Sequence, residues 1–268
     1  MTEVFEARTI SFLDALRQKR NVMKAVILRD MRTRFFNHGL GFLIVALWPL
    51  VHMIVLLAIY TLSGRPAPFG DSTQIFFATG LIPSLAFMYI SRFMSLSLIL
   101  NKPMMAFPAV TVVDIMFARA FLEIMAAFLT MVFLVAILFA LGENPIPYDI
   151  EQAVYAYLAT LLLAAGVGTL AGVIVMFFPF FVTIYALAMI LVYILSGVLF
   201  VASSFPAPIA YALSWNPVLQ CVEWMRTAYY PTYSDRILDK TYLIGYGITA
   251  LFLGLLLERV LRWKMLEG

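Results

Sequence analysis

Charge is what this sequence has least of. Only 12% of its 268 residues are Asp, Glu, Lys or Arg, about half the fraction typical of a soluble domain. At the same time 63% are hydrophobic and the mean hydropathy is +0.96, so a water-soluble surface cannot be assembled from this chain. The single cysteine, Cys221, excludes an intramolecular disulfide, and no CxxC or Cys/His cluster points to a structural metal. The two histidines, His38 and His52, have no acidic neighbour spaced to make a site and read as structural. There is no GxxxxGK[ST] loop and no Gly-Lys pair anywhere, so the chain binds no nucleotide through a Walker motif. The paired acids or His/Asp cluster of a membrane-embedded lipid or sugar transferase are missing, as are the intramembrane acids and inverted repeat of an ion-coupled transporter. No catalytic residue, cofactor or metal is assigned to this chain.

What is present is long apolar runs. They lie near residues 40–62, 73–100, 115–140, 152–178, 180–200 and 241–257, and they predict an all-α integral membrane protein with six transmembrane helices. A closed barrel would instead show alternating segments of roughly ten residues. The whole chain, 1–268, reads as one transmembrane domain. Residues 1–38 form a cytoplasmic segment, 39–200 five helices, 201–240 an outer segment, and 241–268 the last helix and its tail. From Gln152 to Val222 there is no charged residue over 71 positions, room for two or three spans. Phe177-Phe178-Pro179-Phe180-Phe181 marks a turn there, because proline lacks an amide proton and restricts the residue before it; one kinked helix is the alternative.

Basic residues set the orientation. Residues 1–38 carry eight Lys/Arg against four acids, whereas Gly142 to Glu151 carries Glu143, Asp149 and Glu151 and no base. Both termini are therefore expected in the cytoplasm, with Lys102, Arg259, Arg262 and Lys264 on the same side. No short h-region or cleavage site precedes the first run, so no cleaved signal peptide is expected.

Before the first run, Val22 to Phe36 reads as an amphipathic helix. Met23, Ile27 and Met31 are spaced by four with Leu28 and Phe35 beside them, Arg29 and Arg32 lie opposite, and Lys24 and Arg34 fall on the apolar side. It either anchors on anionic lipid or docks a partner protein. Before the last run, Ser203 to Lys240 contains Pro206, Pro208, Pro217 and Pro231 and reads as two short helices, Ile209 to Leu213 and Pro217 to Tyr229. Asn216 is the N-cap of the second and Pro217 its first residue. Asn216, Pro217 and Glu223 then belong to a re-entrant hairpin, or the pair lies on the surface.

Polar residues inside the runs are the candidate functional ones. Arg92 stands beside a stripe of Ser84, Ser91 and Ser95, which lines either a polar path or a helix contact. Arg119 and Glu123, four apart, neutralise each other. Ala164, Gly168 and Gly172 form a small-residue ridge for close helix packing. Aromatics number 40, and Tyr211, Trp215, Trp224, Tyr229, Tyr230, Tyr233, Tyr242 and Tyr246 cluster near the proline-rich segment, as an interfacial belt or as stacking faces for a glycan.

Three stretches are similar to the membrane subunits of type 2 ABC exporters, particularly those exporting capsular polysaccharide or O-antigen. They are Ile27-Leu28-Arg29-Asp30-Met31-Arg32-Thr33-Arg34-Phe35 with Gly39 to Pro49; Asn216-Pro217-Val218-Leu219-Gln220 with Glu223, Arg226 and Tyr229-Tyr230-Pro231; and Asn101 to Asp114 with Lys102-Pro103 and Phe107-Pro108. The resemblance covers essentially the whole chain. It implies a homodimer in the bacterial inner membrane with two separate ATP-binding cassette subunits, which bind ATP and Mg. It also implies a lipid-linked polysaccharide as cargo, membrane lipids around the dimer, further periplasmic or outer-membrane export proteins, and no nucleic acid. Arg29, Asp30, Arg32, Arg34, Lys102, Pro103, Phe107 and Pro108 would then meet the ATPase. Arg92, Ser91, Ser95, Trp215, Trp224, Arg226 and Tyr229 would line the substrate path, with Arg65, Arg236 and Lys240 adding weak attraction for an acidic polymer. Export of a small lipid or drug fits the same transmembrane pattern.

Overall fold

The computed structural model describes residues 12–34, 41–64 and 66–267, and among them every regular element is helical. The elements are α1 (Phe12–Arg34), α2 (Gly41–Leu62), α3 (Thr73–Ser95), the single turn α4 (Ser97–Leu100), α5 (Val112–Ala140), α6 (Ile150–Phe177), α7 (Phe181–Ile194), α8 (Ala207–Ser214), α9 (Pro217–Tyr229) and α10 (Lys240–Glu267). Short 3-10 turns occupy Lys102–Ala106 and Ala202–Ser204. Phe35, Phe36, His38, Gly39 and Arg65 lie outside the described residues, as does the Arg34 side chain.

Local chemistry accounts for the boundaries. Ser72 accepts from the Ile75 amide, Asp149 from Gln152, and Thr111 with Asp114 forms a reciprocal capping box. Asn216 accepts from the Val218 amide and Pro217 opens α9, as the sequence predicts. The uncharged stretch after Gln152 breaks at Phe178–Phe180, beside Pro179, into two helices rather than one kinked one. The run expected over 180–200 is helical for only 14 residues, because the chain turns through Gly197 at φ +79°, a left-handed conformation that favours glycine.

Helices α3, α5, α6 and α10 are long and apolar enough to cross a membrane; Leu47–Leu62 of α2 and Phe181–Ile194 are shorter apolar helices. Helix α6 is central. On one side a β-carbon at Gly168 would stand 2.7 Å from the Met94 β-carbon and 3.0 Å from the Ser91 α-carbon, and one at Gly172 3.0 Å from the Met94 carbonyl. On another, a β-carbon at Gly166 would collide with the Gly247 carbonyl, and one at Gly254 would come within 2.8 Å of Thr169 and Leu170. Glycine on both faces thus brings α3 and α10 against α6. A main apolar core runs through α3, α5, α6 and α9. A second, built from Val26, Leu98, Met104, Ile115, Val173 and Met265, binds α1 and the 97–110 connection to the nearby ends of α5, α6 and α10. The outward faces of α2, α5, α7 and α10 carry large exposed apolar side chains, among them Trp48, Phe128, Leu191 and Phe252.

Candidate functional site

At the α1 end of the bundle, polar links among the described residues fasten α1 to what lies beneath it. Lys19 Nζ donates to both carboxylate oxygens of Asp114, at 2.9 and 2.8 Å, and to the Thr111 hydroxyl at 3.2 Å. Arg29 donates to Asn101 Oδ1 at 3.2 Å. Asp30, buried, lies 3.6 Å from the Arg119 guanidinium, which also pairs with Glu123 and stands 5.1 Å over the Phe93 ring. The Arg119–Glu123 pair expected from spacing is therefore a triad whose third member comes from α1.

Burial of α1 follows this triad. Among its described side chains the buried positions are Val26 and Asp30, while Leu28 is 55% exposed and Met23, Ile27 and Met31 are half-buried. The buried line is rotated from the predicted apolar stripe because Asp30 finds a guanidinium inside. Arg32 is exposed, and so are Lys102, Pro103, Phe107 and Pro108 on the connection between α4 and α5. Between this connection and α1 runs an open groove bordered by Asp14, Arg17, Val22, Met104 and Phe107.

The opposite end is organised by Arg226, which is fully buried. Its guanidinium donates to the Phe200 carbonyl at 2.8 Å and the Val198 carbonyl at 3.1 Å, reaches Tyr233 Oη at 3.5 Å, and lies 3.9 Å over the Phe76 ring. These carbonyls lie just beyond the end of α7, and a buried carbonyl left without a donor costs about 1–3 kcal/mol. Tyr233 donates to Glu223 Oε1 at 2.8 Å; burial pushes its hydroxyl well above the ordinary tyrosine pKa, which keeps it a donor. Gly80 admits the arrangement, since a β-carbon there would come within 3.1 Å of Val198 and 3.2 Å of the Arg226 guanidinium.

Neighbouring side chains are held in the same way. Trp224 Nε1 and Lys240 Nζ both donate to Gln152 Oε1, at 2.9 and 2.7 Å. Gln220 donates to the Ser214 and Ile237 carbonyls and accepts from the Asp239 amide, joining α8, α9 and the start of α10. The Tyr229 hydroxyl donates to the Pro145 carbonyl at 3.0 Å. Trp215, 60% exposed, stands edge-on to Tyr211 and Tyr242.

Of the residues assigned to a substrate path, Trp215 alone is exposed. Ser91 and Ser95 face the Gly168–Gly172 ridge of α6, so the serine stripe is a helix contact, and Ser84 meets Ser196 at 3.3 Å. Arg92 donates to the Val182 carbonyl at 2.7 Å, tying α3 to the first turn of α7. Trp224 and Arg226 are buried within the chain itself. His52 approaches the Tyr89 hydroxyl at 3.5 Å. Sequence reasoning missed the carbonyls of Val198 and Phe200, the Phe76 platform and the Asp30–Arg119 link. Only the Ser196-Gly197 dipeptide inside an apolar run signalled the break that creates the first of these.

No family model matches the chain. Among curated proteins it is 29% identical over 247 residues to the polysialic acid transport protein KpsM of Escherichia coli, covering 92% of this chain and 95% of that one. It is 24% identical over 250 residues to the capsule polysaccharide export inner-membrane protein CtrC of Neisseria meningitidis, covering 93% and 94%. To the capsule polysaccharide export inner-membrane protein BexB of Haemophilus influenzae it is 23% identical over 250 residues, again 93% and 94%.

Proposed function

We propose, from the premise that this chain is a homologue of capsule polysaccharide export inner-membrane proteins, that it is the transmembrane subunit of an ATP-driven exporter carrying a lipid-linked, acidic polysaccharide from the cytoplasm across the inner membrane. The observation that carries the reading is that the similarity runs nearly from end to end, over 92% of this chain and 95% of the first relative. A match of that extent concerns the whole architecture rather than one apolar segment.

In this reading α2 and α7 join α3, α5, α6 and α10 as six crossings, α8 and α9 form a re-entrant hairpin, and the α1 end with its excess of Lys and Arg is cytoplasmic. Two copies associate through apolar outward faces, and the path runs between them. ATP and Mg reside in two partner subunits, because this chain offers no Walker loop. Those partners dock on the groove between α1 and the Lys102–Pro108 connection, with Arg29 and Arg32 on the same helix. The second apolar core under that groove supports the reading, since a push on α1 is delivered to α5, α6 and α10 together. With Arg226, Trp224, Ser91 and Ser95 engaged inside the protomer, attraction for the polymer falls to exposed groups such as Trp215 and Arg236.

Deleting the gene tests the function: polymer should accumulate inside the cell and vanish from its surface, and the tagged chain should co-purify with an ATPase. Unchanged surface glycan in the deletion strain would overturn the reading.

A further inference from the structure

At the end opposite α1 lies a cup of about 410 Å³, inside the roughly 300–1,000 Å³ range of small-ligand sites. Its walls include three aromatic rings from distant parts of the chain: Phe69 from the α2–α3 connection, Phe200 from the broken segment after α7, and Tyr233 from the segment between α9 and α10. The rings are fixed. Phe69 stands edge-on to Tyr233 at 5.0 Å and to Tyr230 at 5.3 Å, and Phe200 edge-on to Phe205 at 5.4 Å. The Phe69 loop is pressed onto Tyr230 at Gly70, whose φ is +76° and where a β-carbon would stand 2.6 Å from the Tyr230 ring. The Tyr233 hydroxyl is held inside by Glu223, so the ring forms wall and the polar tip does not.

Between the rings stand the hydroxyl residues Ser203, Ser204 and Ser234. Outside the lining, exposed Arg236 donates from Nη2 to the carbonyl of Ser203, a wall residue, at 2.8 Å, and to that of Phe205 at 3.1 Å, which holds a cation next to the cup. Rigid apolar faces interleaved with hydroxyls match a ring that has an apolar face and a hydroxylated edge. An acyl chain would need no hydroxyls; the separate cleft between α5 and α6, lined almost wholly by apolar side chains such as Phe128, Val135 and Leu161, shows the contrast.

We infer that this cup is a sugar-binding subsite that holds one or two residues of an acidic glycan by stacking on Phe69 and Phe200, against a wall that includes Tyr233, with Arg236 meeting the carboxylate. The inference rests on the export reading for its ligand class. The site belongs to the single protomer and lies at the end where a polymer crossing from the α1 end would leave. Each of the two phenylalanine rings contributes through a stacking contact, worth about a two- to tenfold change in affinity on removal.

The test uses the purified complex with its ATPase subunits in lipid nanodiscs, carrying Ser234→Cys. Native Cys221 is fully buried and gives no background. Maleimide labelling of the new cysteine is timed with a tetramer of sialic acid, with maltotetraose, or with neither. The acidic tetramer should slow labelling at least fivefold and maltotetraose less; Phe69→Ala and Phe200→Ala should each weaken that protection about two- to tenfold. Arg236→Gln should abolish the preference for the acidic oligomer. Ser204→Cys gives an independent label if Ser234→Cys fails to assemble. No protection at either position overturns the subsite, and equal protection by maltotetraose overturns its acidic preference. Protection in a protein whose deletion leaves surface glycan unchanged overturns the export reading and keeps the subsite. Export with no protection does the reverse.

Discussion

At Arg226 a full positive charge is placed where water does not reach, and the structure answers with two carbonyls, a tyrosine hydroxyl and an aromatic face. Removing the guanidinium leaves Val198 and Phe200 carbonyls without their donor, so Arg226→Met should cost about 3–5 kcal/mol, the range for breaking a buried charged network. Arg226→Lys keeps the charge but not the planar fork, and should fall between. Thermal unfolding in detergent, followed by the fraction remaining monodisperse, measures both; wild-type stability in Arg226→Met would refute the role. At Gly168 the limit is space rather than charge. A valine there meets α3 backbone at about 3 Å, an overpacking expected to cost about 1–3 kcal/mol, while Gly245→Ala, with open space around it, should be silent in the same assay.

For the element α1, the triad has unequal members. Arg119→Met removes the guanidinium that pairs with both Asp30 and Glu123 in the buried interior and should destabilise by about 3–5 kcal/mol. Asp30→Asn leaves the Arg119–Glu123 pair intact and weakens the 3.6 Å contact to Arg119, so a smaller loss, about 1–3 kcal/mol, is expected. The local consequence is separable from the global one: α1 is loosened in Asp30→Asn, and protease cutting near Lys24 should accelerate while the rest of the fold persists. Equal protection of α1 in wild type and Asp30→Asn would show that the apolar core under α1 holds it alone. Periodicity pointed to a helix from Val22 onward, whereas α1 begins ten residues earlier at Phe12, and it placed the buried line one position away. It could not do better, because a carboxylate counts as polar in any pattern until its buried partner is known.

Across the whole molecule, the docking reading predicts a separation of stability from assembly. Lys102→Glu and Phe107→Ala change exposed side chains, so stability should stay within about 0.5 kcal/mol. Recovery of the ATPase with the affinity-purified chain should nevertheless fall severalfold, and undiminished recovery from the double variant would place the docking surface elsewhere.

The sequence by itself determined that the chain is a helical membrane protein, where most helices begin, and that two short helices precede the last long one. These follow from local chemistry: the length of an apolar run, a serine, threonine or asparagine at a cap, a proline that cannot donate. Which side of each helix faces protein was decided only in the tertiary structure. Lipid is as apolar as a packed core, so hydrophobic pattern carries little information about facing in a membrane. The serine stripe became a helix contact because glycines of α6 arrived opposite it, and Arg226 became a lock because α7 ended early and left carbonyls 26 and 28 residues away to be satisfied.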